Sequence, residues 1–282
     1  MLPVLPVEIW ERVIDSLRNW PAALVACSSV CKTWNARSRF HLITWVRLTD
    51  RQRTHWLTRF LRENPPLRPR VHSVSIRSSL RRGTRQPIPH FGTFALMLPG
   101  KLPAAKALYI LDAEWHHGAM HPDTFLHLST FLSITDLRLR DVSLPSKLVL
   151  ARLICALPNL AELECVNVVV QSKTFHPFVF HSTPPQIKAI WLDGPSNDIV
   201  DLLAVQLGIA TSVETFTAGC SVHAEDSPSN GAIMSMLRYA GPTVKDVDIR
   251  LRQLPKVLVL EQEGSKATGA ATYYSIDPDL PP

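Results

Sequence analysis

Residues 134–165 read ITDLRLRDVSLPSKLVLARLICALPNLAELEC and hold two copies of one short pattern. ITDLRL at 134–139 and LAELEC at 160–165 both carry apolar residues at positions one, four and six. The two-residue alternation predicts a strand, with Leu137 and Leu139 on one face and Arg138 and Arg140 on the other. Between the copies, Leu148–Leu157 carries apolar residues at helical spacing. Working outward, the hexamer recurs as VHSVSI at 71, AKALYI at 105, IKAIWL at 187, VETFTA at 213 and VKDVDI at 244. In a chain that is 46% hydrophobic one such hexamer means little, whereas seven at near-regular intervals mark an internal repeat. Helical patterns at Phe91–Leu98, Thr124–Leu132, Ile199–Leu207 and Ala232–Tyr239 fill the gaps. The gap after Cys165 is poorer, broken by Pro177 and by Pro184-Pro185.

Each unit has an apolar edge on its strand and another on its helix. Neither can be buried without a neighbouring unit, so the units must stack. The predicted sheet is parallel, in chain order, with Leu108, Leu137, Leu163, Ile190, Phe216 and Val247 buried. Ser75, Arg77, Tyr109, Arg138, Arg140, Glu164, Trp191, Asp193, Asp248 and Arg250 then point the other way. They form the candidate binding face, with Tyr109 and Trp191 as aromatic anchors. A doubly wound α/β domain is the alternative, but no glycine-rich phosphate loop follows any strand.

The N-terminal stretch MLPVLPVEIWERVIDSLRNWPAALVACSSVCKTW (1–34) reads differently. Ile9, Trp10, Val13, Ile14 and Leu17 form a helical stripe. Glu8 and Glu11 near its start suit the helix dipole, and Pro6 is tolerated in a first turn. Pro21 opens a second helix bearing Leu24, Cys27, Cys31 and Trp34. Ala36–Leu48 is the expected third. The first two helices are too short to bury both stripes alone and need a third helix, a partner, or both.

The ordered set Leu5-Pro6-x-Glu8-Ile9, followed by Val30-Cys31-Lys32-x-Trp34, resembles an F-box, the helical module that docks a protein onto the adaptor of a cullin-type ubiquitin ligase. The likeness covers about the first fifty residues. Leu5, Pro6, Ile9, Val13 and Val30 then fall on or beside the adaptor surface. The strand–turn–helix repeat resembles leucine-rich repeats, and the two together are similar to the plan of the expanded fungal F-box/leucine-rich-repeat family. That resemblance implies a three-helix F-box followed by an irregular solenoid with a curved parallel sheet. It implies Skp-type adaptor and cullin partners and a protein substrate on the concave face. The chain departs from the family at the turn position that usually carries Asn or Cys. Ser79, Ala113, Val142, Val168, Pro195, Ser221 and Arg252 stand there, so the turns must be satisfied in another way.

The 282 residues suffice for one sizeable domain and a small one. The expected division is 1–50 for the helical module, 51–70 for a basic helical linker, 71–252 for the repeats and 253–282 for a disordered tail. No apolar run is long enough to span a membrane, and the acidic start argues against a secretory leader. Five cysteines at scattered spacings suit free thiols in a reducing compartment, cytoplasm or nucleus. Net charge is +6, and the positive part is densest between Lys32 and Arg85. That block offers a second reading, a ubiquitin-independent module holding nucleic acid or an acidic protein. It matches no nucleic-acid motif, and a solvated arginine face explains it more simply.

Little in the chain points to catalysis. No nucleotide, phosphate-loop, zinc-protease or hydrolase motif occurs. His116, His117 and His121 match no zinc spacing, and Cys27 with Cys31 lacks a second pair. The expectation is a non-enzymatic chain with no metal and no cofactor.

Overall fold

The computed structural model describes residues 6–78, 84–116, 118, 120–172, 183–194, 196–221, 228–241 and 243–252. Leu5, Ser79, Arg81, Arg82, His117, Pro177, Pro195 and the expected tail 253–282 lie outside them. The chain divides into two compact units, with the described part of the first ending at Leu42 and the second running from Ile43 to Arg252.

The first unit is three helices: α1 (Val7–Ser16), α2 (Pro21–Ser28) and α3 (Lys32–Leu42). Pro21 begins α2, where its missing N–H costs nothing. The helices are tied by polar contacts as much as by a core. Arg37 grips both Asp15 oxygens (2.6 and 2.5 Å), and the His41 ring lies 2.7 Å from the same carboxylate. Asn35 Nδ2 donates to Ser28 O, and the Trp10 and Trp34 rings sit 4.8 Å apart. Ile14 and Leu24 are the buried apolar side chains among the described residues of this unit.

The second unit is mixed α/β. Its main sheet has eight parallel strands: β1 (Trp45–Leu48), β2 (Ser73–Ile76), β4 (Ala107–Leu111), β6 (Asp136–Arg140), β8 (Glu162–Val166), β10 (Ala189–Asp193), β11 (Thr215–Ser221) and β12 (Asp246–Arg252). They stand side by side in chain order, without the reversal that gives a doubly wound sheet its crevice. The sheet is open, neither curled nor closed. Between the strands run α4 (Arg51–Glu63), α5 (His90–Met97), α6 (Asp123–Leu128), α7 (Lys147–Cys155), α8 (Asn197–Val200, continued by a π-helical turn Asp201–Gln206) and α9 (Pro228–Ala240). A second parallel ribbon follows the turns: β3 (Gln86–Pro87), β5 (Ala113–Glu114), β7 (Ser143–Ser146) and β9 (Val169–Ser172).

All seven predicted hexamers are strands, and an eighth precedes them. Residues 43–48 were expected to finish the third helix, yet Trp45–Leu48 is β1. Ile43-x-x-Val46-x-Leu48 repeats the same hexamer, and Val46 and Leu48 are buried. Residues 51–70 are likewise no linker. Leu57 and Leu61 of α4 are fully buried in the sheet's core, so the basic stretch is a layer of the second unit.

The core is one continuous cluster from Ile43 to Ala240. Val74, Leu108, Leu137, Leu163, Ile190 and Phe216 align across the strands and are buried, as are Ile76, Ile110, Leu139, Cys165, Leu192 and Ala218 beside them. Val247 breaks the expectation. It is 47% exposed, because β12 is the last strand and no further rung covers it among the described residues.

The turns answer the missing asparagines. Asp112, Asp141, Asn167 and Gly194 each follow a main-sheet strand, and all four have positive φ. Asp and Asn tolerate that left-handed region better than most side chains, and Gly enters it freely. Each of the first three donates its backbone N–H to the neighbouring rung: Asp112 to Arg140 O, Asp141 to Val166 O and Asn167 to Asp193 O. Asn167 Nδ2 also donates to Asp141 Oδ1. Ala113, Val142 and Val168, at the expected asparagine position, are instead buried apolar residues.

Candidate functional site

The side chains opposite the core row line up across the main sheet as Arg47, Ser75, Tyr109, Arg138, Glu164, Trp191, Thr217 and Asp248. Neighbouring strands are about 5 Å apart, so residues far apart in sequence become one surface.

At its first rungs the surface is aromatic and basic. Trp45 and Tyr109 meet with ring centroids 4.5 Å apart. They belong to β1 and β4, and the small Ser73 and Ser75 of the intervening β2 leave them room. Ser75 is buried at 1% exposure, contrary to its predicted place on the open face. The Arg138 guanidinium lies 5.2 Å from the Tyr109 ring centre, a cation–π distance. Burial holds the Tyr109 hydroxyl above its usual pKa, with Arg138 opposing the shift.

Glu164 is the hub of the next rungs. Arg140 Nε donates to its Oε1 at 2.6 Å, and Arg138 Nε lies 3.6 Å from its Oε2. The two arginines cover the carboxylate, so Glu164 is 5% exposed where the sequence placed it at the surface. Arg77 is also buried, at 7%. It sits directly after β2, its backbone N–H bonded to Leu48 O.

At the starts of β6 and β8 the surface is acidic. Asp136 and Glu162 are directly paired across β6 and β8. Their mutual hydrogen bond, and burial after it, lift Glu162 above the ordinary carboxylate range. A shallow depression of about 160 Å³ opens here, walled by Arg138, Glu162, Glu164, Trp191 and Thr217. Trp191 forms its far side, with the Arg250 guanidinium 4.6 Å from its ring centre. Arg250 Nε also donates to Asp248 at 2.9 Å. Asp193 leans over Gly219, where an added Cβ would lie 2.5 Å from the carboxylate and push that side chain aside.

Of the predicted face, Tyr109, Arg138, Arg140 and Glu164 form one connected cluster, and Trp191, Asp248 and Arg250 form a second. Sequence reasoning left Trp45, Asp136, Glu162 and Thr217 out of this face. Trp45 was hidden by the helical reading of 36–48, although the 43–48 hexamer was there to be found.

On the first unit, Pro6 is exposed, and Ile9, Val13 and Val30 are 40%, 43% and 61% exposed. Ile9 and Val13 stand at i and i+4 on α1 and so share a face. Val7, Trp20 and Val25 are exposed as well. Cys31, expected to pack inside, is exposed, while Cys27 is half-buried.

Among the described residues, no three or more His, Cys, Asp or Glu side chains gather as a metal site would require. His116 faces Glu114 at 4.0 Å and His121 faces Asp123 at 3.3 Å, as separate exposed pairs. Burial pushes the Cys155 thiol up to about 12 and raises Cys165 as well, which leaves both unreactive at neutral pH. No helix among the described residues is long and apolar enough to cross a membrane. No family model matches the chain, and no curated protein matches it.

Proposed function

We propose that the chain is a non-enzymatic substrate receptor of a cullin–RING ubiquitin ligase. Its N-terminal helices act as an F-box that docks a Skp-type adaptor, and the polar face of the main sheet holds a protein substrate. Catalysis would reside in the other subunits, and the complex would work in the cytoplasm or nucleus. The observation that carries this reading is the apolar stripe of Ile9 and Val13 on a unit whose described apolar core is only Ile14 and Leu24. Exposed apolar side chains outnumber buried ones there, as expected of an interface awaiting a partner. The second unit is read as an irregular leucine-rich-repeat solenoid, supported by eight parallel strands in chain order and a repeated left-handed turn. Substrate contacts are assigned to Tyr109, Arg138, Arg140 and Trp191, because aromatic and arginine side chains dominate interface energetics.

The test is co-expression with a Skp-type adaptor. Stoichiometric recovery insensitive to moderate salt supports the reading, and no recovery sinks it. Alanine at Tyr109, Arg138, Arg140 and Trp191 should then abolish substrate capture while the adaptor stays bound.

A second reading has its own observation. α4 exposes Arg51, Arg53, Arg59 and Arg62 around Trp56, which is 55% exposed and stacked on Phe60 at 5.0 Å. A basic helix with an open aromatic ring suits nucleic acid or an acidic protein. Binding through it would fall steeply with salt.

A further inference from the structure

β12 is the last strand of the main sheet and, among the described residues, pairs on one side only, with β11. Its Val247 and Ile249 stand in register with the buried Phe216 and Ala218, yet they are 47% and 49% exposed. Among the described residues the sheet's apolar layer therefore ends on an open row beside an unpaired backbone edge, an arrangement that invites another strand. The strand reads Asp246-Val247-Asp248-Ile249-Arg250-Leu251-Arg252, with acids in its first half and bases in its second. The charged positions alternate with the apolar ones.

We propose that β12 is a homodimerisation edge, pairing antiparallel with β12 of a second copy about a two-fold axis through Ile249. In an antiparallel pair, residues directly opposite share a face. Centred on Ile249, Asp248 meets Arg250 of the second copy, and Ile249 meets its own counterpart. The charge pair thus faces its opposite, twice over by symmetry, and the apolar centre faces an apolar side chain. Shifting the centre to Asp248 sets Asp248 against Asp248, and shifting it to Arg250 sets Arg250 against Arg250. Like charges directly opposite are unfavourable, so the strand specifies one register. An interface using the same patch on both copies closes as a dimer, which fits a self-complementary strand better than it fits an unrelated partner. Within the chain Arg250 already touches Asp248, but the two side chains keep 57% and 52% exposure. Ion pairs this open are weak and leave both groups free to reach across. The inference does not depend on the adaptor reading.

Sedimentation of the full chain over a range of concentrations tests it. The expected result is a monomer–dimer equilibrium. Asp248→Arg alone, or Arg250→Asp alone, weakens self-association by about tenfold or more, since two attractive pairs become repulsive. An equal mixture of the two variants recovers the dimer, each supplying the charge the other needs. The double variant Asp248→Arg/Arg250→Asp dimerises by itself. Unchanged far-UV circular dichroism verifies that these exposed positions leave the fold intact. A full chain that stays monomeric, its edge left bare or taken by its own residues 253–282, overturns the proposal. So does a dimer that survives both single substitutions, or a pair of variants that fails to recover on mixing.

Discussion

The two units solve opposite problems. The second carries one apolar cluster through the first seven strands of its main sheet and the helices between them, and its open face is knit by ring contacts and ion pairs. Among its described residues the first has three helices, two buried apolar side chains, and Ile9, Val13, Trp20, Val25 and Val30 in solvent. The second region buries most of its hydrophobic residues, while the described part of the first fully buries few. The second unit therefore has an extensive core of its own, while the described part of the first leaves more large apolar side chains exposed than buried.

The largest effect should come from the scaffold's core. Phe216 is fully buried in β11, and Phe216→Ala should cost about 3–5 kcal/mol, read from urea unfolding. Val13→Ala on the exposed helix should change the same measurement by only about 0.5 kcal/mol or less. Equal losses would erase the contrast between the units.

A smaller effect tests polar ties inside the scaffold. Lys147, at the start of α7, is 4% exposed and reaches Asp201 at 2.6 Å and Asp198 at 3.4 Å. Breaking a fully buried pair can cost about 3–5 kcal/mol. These carboxylates are 45% and 30% exposed and can turn to water, so Lys147→Ala should cost about 1–2 kcal/mol. A loss below about 0.5 kcal/mol in thermal unfolding would show the pair to be ornamental.

The smallest effects separate the units by pH. Arg37, by its hydrogen bonds, lowers the Asp15 pKa to about 2, with His41 assisting and burial opposing. A depressed carboxylate contributes stability above its unfolded pKa and loses it as pH falls through about 2. Asp15 is about one-third exposed, so solvent limits that contribution to about 1 kcal/mol or less. His90, in the scaffold, is 2% exposed and donates to Leu48 O at 3.2 Å. Burial lowers its pKa, with the Leu48 bond opposing. Its neutral form is therefore the stable one. The scaffold keeps this contribution above the unfolded histidine pKa of about 6.5 and loses it as pH falls below. Acid should thus weaken the scaffold before it weakens the helical module. His90→Gln should flatten the scaffold's unfolding profile between neutral pH and about pH 5. An unchanged slope would remove His90 from the account.

The seven predicted strands were legible because period-two alternation recurred at near-equal spacing. β1 carried the same hexamer one repeat earlier but was read as the tail of a helix, because α3 runs into it with no proline or glycine between. The second ribbon escaped notice, since strands of two to four residues, one containing Pro145, hold no alternation to detect. Asp112, Asp141, Asn167 and Gly194 recur just past the strands and could have been found as left-handed turn residues. Alternation told which face Ser75, Arg77 and Glu164 lie on, but not what covers them. Burial of Glu164 depends on two arginines on the adjacent strand, and burial of Ser75 on rings from either side. Lys147 gives no local sign that two carboxylates some fifty residues later meet it.

The most direct test of the central claim is a calorimetric titration of a purified Skp-type adaptor into the full chain and into Ile9→Ala/Val13→Ala. The account predicts saturable binding by the wild-type chain. It predicts a loss of about 2 kcal/mol or more for the variant, roughly thirtyfold in affinity, with its circular dichroism and unfolding midpoint unchanged. Binding of equal strength by both chains, or no binding by the wild type, would contradict it.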